Sequence, residues 1–246
     1  MRVYRAELQI HTVLSPCAEV EMIPPLIVQE ALDRGINLIA ITDHNSSKNI
    51  SAVKQAAENT LLTVLPGMEL QTLEEVHIIC LFDTLEQVSS FQKIVDDYLP
   101  DIKNNAEYFG EQYIVDKTGE FLGFEDQLLL TSTKLTFHQA WQAVTHLGGL
   151  FIPAHVNRQT FGLFYNLGLI PVDTKIEALD ISRHISVEKV HEKFPQTTGY
   201  PLIQTGDVHR LEDFLGSTQF LIELPTINEI RMALQGINGR RVSISS

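Results

Sequence analysis

The chain is poor in several features that would assign it elsewhere. It holds two cysteines in 246 residues, Cys17 and Cys80, far apart and in different surroundings, which excludes a disulfide framework or a CxxC pair. No apolar run approaches the roughly 18 residues of a membrane-spanning helix, so no membrane partner is expected. Met1 to Ser15 breaks its apolar stretch with Arg2, Arg5 and Glu7 and has no secretory core or cleavage site, so a cytoplasmic location is expected. Basic residues are scarce: 18 Lys and Arg stand against 31 Asp and Glu, a formal net charge of −13. That balance opposes binding of extended nucleic acid, whose affinity comes mainly from Lys and Arg on phosphates; a short oligonucleotide gripped by cations stays compatible with it. There is also no glycine-rich phosphate loop, no Ser-His-Asp order and no internal repeat of 20 to 50 residues.

What the chain does have is apolar content, 44% of its residues, and a strand–helix alternation along most of its length. No stretch has linker composition, so a single domain over residues 1–246 is expected. Val3–Ile10 predicts a strand. Pro24–Arg34 predicts a helix with prolines in its first turn and Gly35 as its stop. Ile36–Thr42 is a nearly continuous apolar run, the pattern of a strand buried on both faces. A helix over Ile50–Asn59, strands over Leu61–Leu65 and Glu74–Phe82, and a helix over Leu85–Leu99 follow. Residues 100–134 break the rhythm: Tyr113–Val115 and Phe121–Phe124 flank Asp116-Lys117-Thr118-Gly119, which predicts a β-hairpin in an insertion over one barrel end. A helix from Thr136 to Leu147, with Thr136 and Gln139 as a capping box, restarts the alternation. Strands at Gly149–Ile152, Lys175–Ser182, Pro201–Thr205, Gln219–Glu223 and Arg241–Ser245, with helices Ser186–Lys193 and Thr226–Gly236, complete about seven or eight βα units. The expected fold is α/β, a distorted TIM-like (β/α)7-8 barrel.

Five of the nine histidines, His11, His44, His77, His155 and His209, lie in or just after separate apolar runs, with Asp43, Glu69 and Asp207 beside them. One such histidine is usually a packed ring; five, with three carboxylates at the same end of successive strands, predict a metal site built from many strand ends. Neutral imidazole with carboxylate suits zinc, manganese or iron, and Glu69 can bridge two cations.

These residues stand in ordered segments, Gln9-Ile10-His11-Thr12, Thr42-Asp43-His44, Gly67-Met68-Glu69, His77, Ala154-His155 and Asp207-Val208-His209. In that order and over about Arg5 to His209 the chain resembles the PHP (polymerase and histidinol phosphatase) domain family. The resemblance implies a distorted β/α barrel, two or three divalent ions per chain (Zn, Mn or Fe), and phosphoester hydrolysis. It assigns His11, Glu69 and Asp207 to one ion, Glu69, His77 and His155 to a second, and His44 and His209 to a third, with Asp43 as ligand or as orienting partner of a histidine. Two positions depart from the family pattern. Gln9 replaces the first histidine, and a neutral amide oxygen is the poorer zinc ligand. Pro16-Cys17 stands where an Asp or His is common; a Cys17 thiolate would favour zinc or iron. The run Ser15-Pro16-Cys17-Ala18-Glu19 also resembles an uncharacterised branch of that family.

The expected activity is hydrolysis of a small phosphorylated substrate such as a nucleotide, sugar phosphate or histidinol-phosphate-like ester, by a hydroxide that the ions generate near neutral pH. Arg158, Arg183 and Arg210, near strand ends, are candidates to grip phosphate oxygens, and Asp43 or His209 to protonate the leaving group. His184 is a candidate substrate contact, whereas His138, His146 and His191 fall in helices and read as packed or solvated. Two rivals remain at this level: a 5'-3' exonuclease on short oligonucleotides, and a noncatalytic metal-binding module suggested by Gln9. Neither the substrate nor the oligomeric state follows from these motifs.

Overall fold

The computed structural model describes residues 1–245. Its eleven described strands are β1 (Arg2–Ile10), β2 (Leu38–Ile41), β3 (Thr63–Gln71), β4 (His77–Leu81), β5 (Tyr113–Val115), β6 (Phe121–Phe124), β7 (Leu150–Pro153), β8 (Leu179–Ile181), β9 (Leu202–Gln204), β10 (Thr218–Ile222) and β11 (Arg241–Ile244). The helices are α1 (Pro24–Asp33), α2 (Ile50–Ala56), α3 (Leu85–Tyr98), α4 (Ala106–Phe109), α5 (Phe137–His146), α6 (Leu163–Asn166), α7 (Val187–Lys193) and α8 (Ile227–Leu234). A curled seven-stranded sheet runs in the order β11-β10-β1-β2-β3-β4-β7, and the parallel pair β8-β9 stands apart from it. The result is the expected distorted TIM-like barrel.

Its distortion lies in strand direction. β1, β2 and β3 are parallel, as helical crossovers require, but β4 is antiparallel to both β3 and β7, and β10 to both β1 and β11. β3 and β4 are joined only by a tight turn, with Thr72 N bonded to Val76 O at 3.0 Å, so the chain doubles straight back. The N-terminal end of β4 therefore lies at the same mouth as the C-terminal end of β3. His77 is placed there by a strand running the opposite way to its neighbours in the parallel set.

Alternation along the strands separates two apolar layers. Tyr4, Ala6, Leu8, Leu38, Ala40, Leu65, Ile79, Leu81, Leu150, Ile152, Phe220 and Ile222 fill the barrel interior, closed below by Ile227, Ile230 and Leu234 of α8. Ile39, Ile41, Val64, Met68, Ile78 and Phe151 face outward onto the helices. The inner column carried upward by period two reaches Glu69 and Gln71 on β3, His77 on β4 and His44 beyond β2. On β1 the pairing register shifts between Glu7 and Ile10; Leu8 belongs to the inner layer and Ile10 to the outer, and Gln9 and His11 turn toward the axis.

The insertion folds as expected. β5 and β6 form a hairpin, and Asp116 Oδ1 accepts from Thr118 N at 2.8 Å and Glu120 N at 3.0 Å in its turn. Asn45 Nδ2 ties the insertion to the mouth by donating to Leu129 O and Thr131 O, both at 2.8 Å. The Thr136–Gln139 capping box is present at the start of α5. Among the described residues no helix is long and apolar enough to cross a membrane.

Candidate metal centre

Glu69 is the hub of the mouth. Its side chain is buried on β3, and four imidazoles converge on it: His77 Nδ1 at 2.8 Å and His155 Nε2 at 3.4 Å from Oε1, His11 Nε2 at 3.0 Å and His44 Nδ1 at 3.4 Å from Oε2. Asp207 Oδ1 lies 3.6 Å from both His11 Nε2 and His209 Nδ1, and the His209 ring stacks on His11 with centroids 4.1 Å apart. Three sets of side chains bring one donor atom each within 4.8 Å of one another: His11-Glu69-Asp207, His44-Glu69-His77 and His11-His44-His209.

Burial makes this arrangement expensive unless something satisfies it. His11 Nε2, His44 Nδ1 and Glu69 Oε2 are buried, face one another, and make no hydrogen bond of acceptable geometry. Buried polar atoms are nearly always paired, and lone pairs converging from imidazole and carboxylate are the donor set of a borderline divalent cation. The residues fit the group.

The hydrogen bonds behind the rings fix their tautomers. Asp207 O can only accept, so His209 Nδ1, at 2.9 Å, carries the hydrogen and leaves Nε2 with its lone pair. Ser15 Oγ donates to Asp43 Oδ1 at 2.8 Å and therefore accepts from His11 Nδ1 at 3.0 Å, which leaves His11 Nε2 facing Glu69. Asp43 is fully buried, accepts also from Thr12 N at 2.7 Å and Thr12 Oγ1 at 2.8 Å, and belongs to none of the three sets. Geometrically it is the residue behind His11.

Charge follows the same plan. Burial alone would lower the His11 ring, but Asp207 and Glu69 outweigh it and carry it to about 10. Burial and the neighbouring His11 hold His44 well below its usual value; burial also lowers His155 and His209. Burial would raise Glu69, yet His77 and His44, with bonds from His11 and His155, keep it far below the carboxylate range. Protonated His11 offsets part of the carboxylate charge, and His44, His155 and His209 are held toward the neutral form that ligates metal.

Backbone strain gathers here as well. Asn45, His155, Phe161 and Asp207 adopt φ of 49°, 29°, 60° and 50°, the left-handed region that non-glycine residues avoid. Phe161 stacks flat on His77 at 4.3 Å.

The remaining expected residues divide. Gln9 is buried at the hub, donating through Nε2 to Glu69 Oε1 at 2.7 Å and accepting from Thr205 Oγ1 at 2.9 Å. Cys17 lines a cavity of about 390 Å3 with His44, Glu69, His77 and His209 and the apolar Phe109, Leu130 and Phe161, but lies outside the three donor sets. Arg158 Nη1 donates to Asp207 Oδ2 at 2.5 Å. Arg210 is turned away: its guanidinium meets Glu19 at 3.0 Å and Glu212 at 3.8 Å on the surface, and it lines neither cavity at the mouth, so the expectation of a phosphate grip there is not met. His191 bonds Thr197 Oγ1 at 2.8 Å, and His138 and His146 lie on α5, away from the mouth.

Sequence reasoning passed over Ser15, Thr205 and Asp180. Asp180 is buried and accepts from His155 N at 2.7 Å and Thr205 N at 3.0 Å, fixing the turn that carries His155. A carboxylate in the middle of the apolar run Leu179-Asp180-Ile181 was its available signal.

Comparison with known proteins agrees with this geometry. The model of the PHP domain matches residues 7–157, more than half of the chain. The chain belongs to the PHP domain family. Among solved structures, the lesion-specific endonuclease EndoQ of Pyrococcus furiosus is 21% identical with a TM-score of 0.73, covering 98% of this chain and 58% of that one. Endonuclease Q in complex with a 27-mer duplex carrying an abasic lesion is 20% identical with a TM-score of 0.68 over the same shares. A protein from Bifidobacterium adolescentis, provisionally described as a metal-dependent phosphoesterase, is 16% identical with a TM-score of 0.54, covering 83% of this chain and 87% of that one. At these identities the likeness is one of fold, and this PHP chain spans 58% of the length of the two endonuclease structures. No curated protein matches it in sequence.

Proposed function

We propose that this PHP protein is a metal-dependent phosphoesterase acting on a small phosphorylated substrate, with His11, Glu69 and Asp207 holding one cation, His44, Glu69 and His77 in place of the expected Glu69, His77 and His155 holding a second, and His155 and His209 as further donors beside them. The observation that carries it is the buried, unpartnered trio His11 Nε2, His44 Nδ1 and Glu69 Oε2. When bound, such cations supply Lewis-acid activation of water and neutralisation of phosphoryl charge. The chain's own groups do the rest. Glu69, pinned by Gln9, keeps the histidines at fixed spacing. Ser15 and Asp43 hold the His11 tautomer, which corresponds to the orienting role expected for Asp43. Arg158, its side chain 43% exposed, reaches the shared wall of the cavities and offers a guanidinium fork to phosphoryl oxygens. His209 keeps its Nδ1 hydrogen on Asp207 O and turns the Nε2 lone pair to the donor cluster, so its role is that of a ligand and not of a proton donor. Phe109, Leu130 and Phe161 give the cavity an apolar wall.

The test is elemental analysis of protein purified without chelator, together with hydrolysis of phosphomonoester and phosphodiester panels under added manganese and zinc. Two or more ions with turnover abolished by chelation support the reading; protein that neither retains nor responds to any cation sinks it. A second reading, cleavage of nucleic acid, is favoured by the likeness to EndoQ. The net charge of −13 opposes it. Cleavage of a labelled oligonucleotide at a rate above that of the small esters would make it the better one.

A further inference from the structure

The most spacious cavity at the mouth, about 570 Å3, lies beside the metal cavity and shares Arg158 and Asp207 with it as a common wall. Its far side is formed by Ser182, Arg183 and His184, just after β8, and by Asp213. These groups are held before any ligand arrives. Ser182 N donates to Asn157 Oδ1 and Asn157 Nδ2 to Ser182 Oγ, both at 2.9 Å, while Gln204 Nε2 donates to Ser182 O at 3.1 Å. Arg183 Nη1 donates to Asp213 Oδ1 at 2.9 Å and to Asp213 O at 3.2 Å. Gly206 forms the floor, where a Cβ would come within 2.3 Å of Asp213 O.

The charges of this pocket are already matched. Arg158 pairs with Asp207 and Arg183 with Asp213, and Asp180 is occupied by two backbone N–H groups. Asp207 and Asp213 against two guanidiniums, with burial pushing the Asp180 carboxyl toward its neutral form, leave no surplus positive charge for a second phosphate. What remains are single donors and acceptors side by side: the other N–H groups of Arg183, the second oxygen of Asp213, the Ser182 hydroxyl and the exposed His184 ring. A guanidinium next to a carboxylate suits neighbouring hydroxyls, each able to accept from one and donate to the other. The volume falls within the range of about 300–1,000 Å3 usual for small-molecule sites.

We infer that this pocket binds the uncharged, hydroxyl-rich part of the substrate, a pentose or hexose, with Arg183 and Asp213 as specificity-determining residues. Resting on the phosphoesterase reading for the position of the ester, this makes the substrate class a phosphate ester of a sugar, with the phosphoryl group on the metal side of Arg158.

The test compares ribose 5-phosphate with methyl phosphate on the metal-loaded full chain. The two share an alkoxide leaving group and differ in the sugar hydroxyls. Wild type is expected to favour ribose 5-phosphate at least tenfold in kcat/KM. Arg183→Met and Asp213→Asn should each erode that ratio about tenfold through KM, and Arg183→Lys should restore part of it; a site built to bond hydroxyls rejects the analogue lacking them. Should Arg183→Met fail to fold, Asp213→Asn and His184→Ala carry the comparison. No preference for the sugar ester, or an Arg183-dependent preference for ribose 1,5-bisphosphate, overturns the inference. Calorimetric titration with ribose 5-phosphate separates the two readings. If neither ester is hydrolysed, the phosphoesterase reading falls; binding that Arg183→Met abolishes then still supports the pocket, and absence of binding overturns it.

Discussion

Gln9 donates its side-chain amide to Oε1 of Glu69 at 2.7 Å, the same carboxylate oxygen that His77 Nδ1 approaches at 2.8 Å. The departure from the family pattern thus supports the hub by hydrogen bonding. Gln9→His replaces that donor with an imidazole in a position adjoining the first donor set. The variant is expected to retain metal more tightly, by roughly tenfold on the scale of changes around metal ligands. Dialysis against graded chelator followed by elemental analysis measures it. Unchanged retention would mean that position 9 does not reach a cation.

Asp43 acts on His11 through Ser15. Ser15→Ala breaks the relay at its shortest link while keeping Asp43 bonded to Thr12. Metal affinity should fall about 10- to 100-fold, the usual cost of losing a partner behind a ligand, with stability reduced by about 1–2 kcal/mol for the lost buried bonds. Competition with a fluorescent chelator, beside a denaturation curve, resolves the two effects. A stability loss without any change in affinity would reduce the relay to packing.

Arg158 and Arg210 offer an internal contrast. Arg158→Met is expected to lower kcat/KM about 100-fold, as removal of one stabilising donor does in comparable sites, with little change in melting temperature because its side chain is 43% exposed. Arg210→Ala removes only exposed surface pairs and should leave both quantities nearly unchanged. Equal losses in the two variants would argue for a general electrostatic effect.

Stability should depend on pH in a way that metal alters. In the metal-free protein His11 titrates near 10 in place of its ordinary 6.5. A raised folded-state value favours the protonated native form, so this contribution is complete below about pH 6.5 and is lost as pH climbs toward 10. Glu69 and Asp207 are shifted the other way; their contribution is present above the ordinary carboxylate range and is lost as pH falls through their depressed values. Chelator-treated protein should therefore lose melting temperature on the alkaline side of pH 6.5. Metal-loaded protein, where a cation replaces the His11 proton, should show a flatter alkaline limb. Identical profiles with and without metal would contradict the assignment of His11 as a ligand.

Glu7 gives a test of the scaffold. Fully buried on β1, it accepts from Gly206 N at 2.9 Å, Leu215 N at 3.0 Å and Gly216 N at 3.1 Å, the loop that carries Asp207 and His209. Glu7→Ala leaves two buried N–H groups, of Gly206 and Gly216, and the partly buried one of Leu215 unpaired, at about 1–3 kcal/mol for each buried group in the unrelaxed limit. A fall in denaturation midpoint together with weaker metal retention is expected. A stability loss with intact retention would mean that the loop holds its ligands without this clamp.

Much of this was legible in the residues themselves. The Asp116-Lys117-Thr118-Gly119 turn and the Thr136–Gln139 cap are local, set by dihedral preference and side-chain chemistry, and they reappear where expected, whereas the strand expected over Leu61–Leu65 runs on to Gln71 and that over Lys175–Ser182 shortens to Leu179–Ile181. The identities of His11, Glu69, His77, His155, Asp207 and His209 as candidates follow from ordered short motifs. What folding decided is how they meet. Period-two alternation cannot say that β4 runs against β3, nor that the register of β1 shifts after Glu7; those turns bring His77 beside Glu69 and Gln9 into hydrogen-bond reach of it. The same holds for Arg158 and Arg210, alike in sequence context. Only barrel closure, which brings residues 9, 69, 158 and 207 to one mouth, leaves Arg158 on the wall of the site and sends Arg210 out to Glu19, because long-range contact depends on strand direction and loop path, which no local pattern encodes.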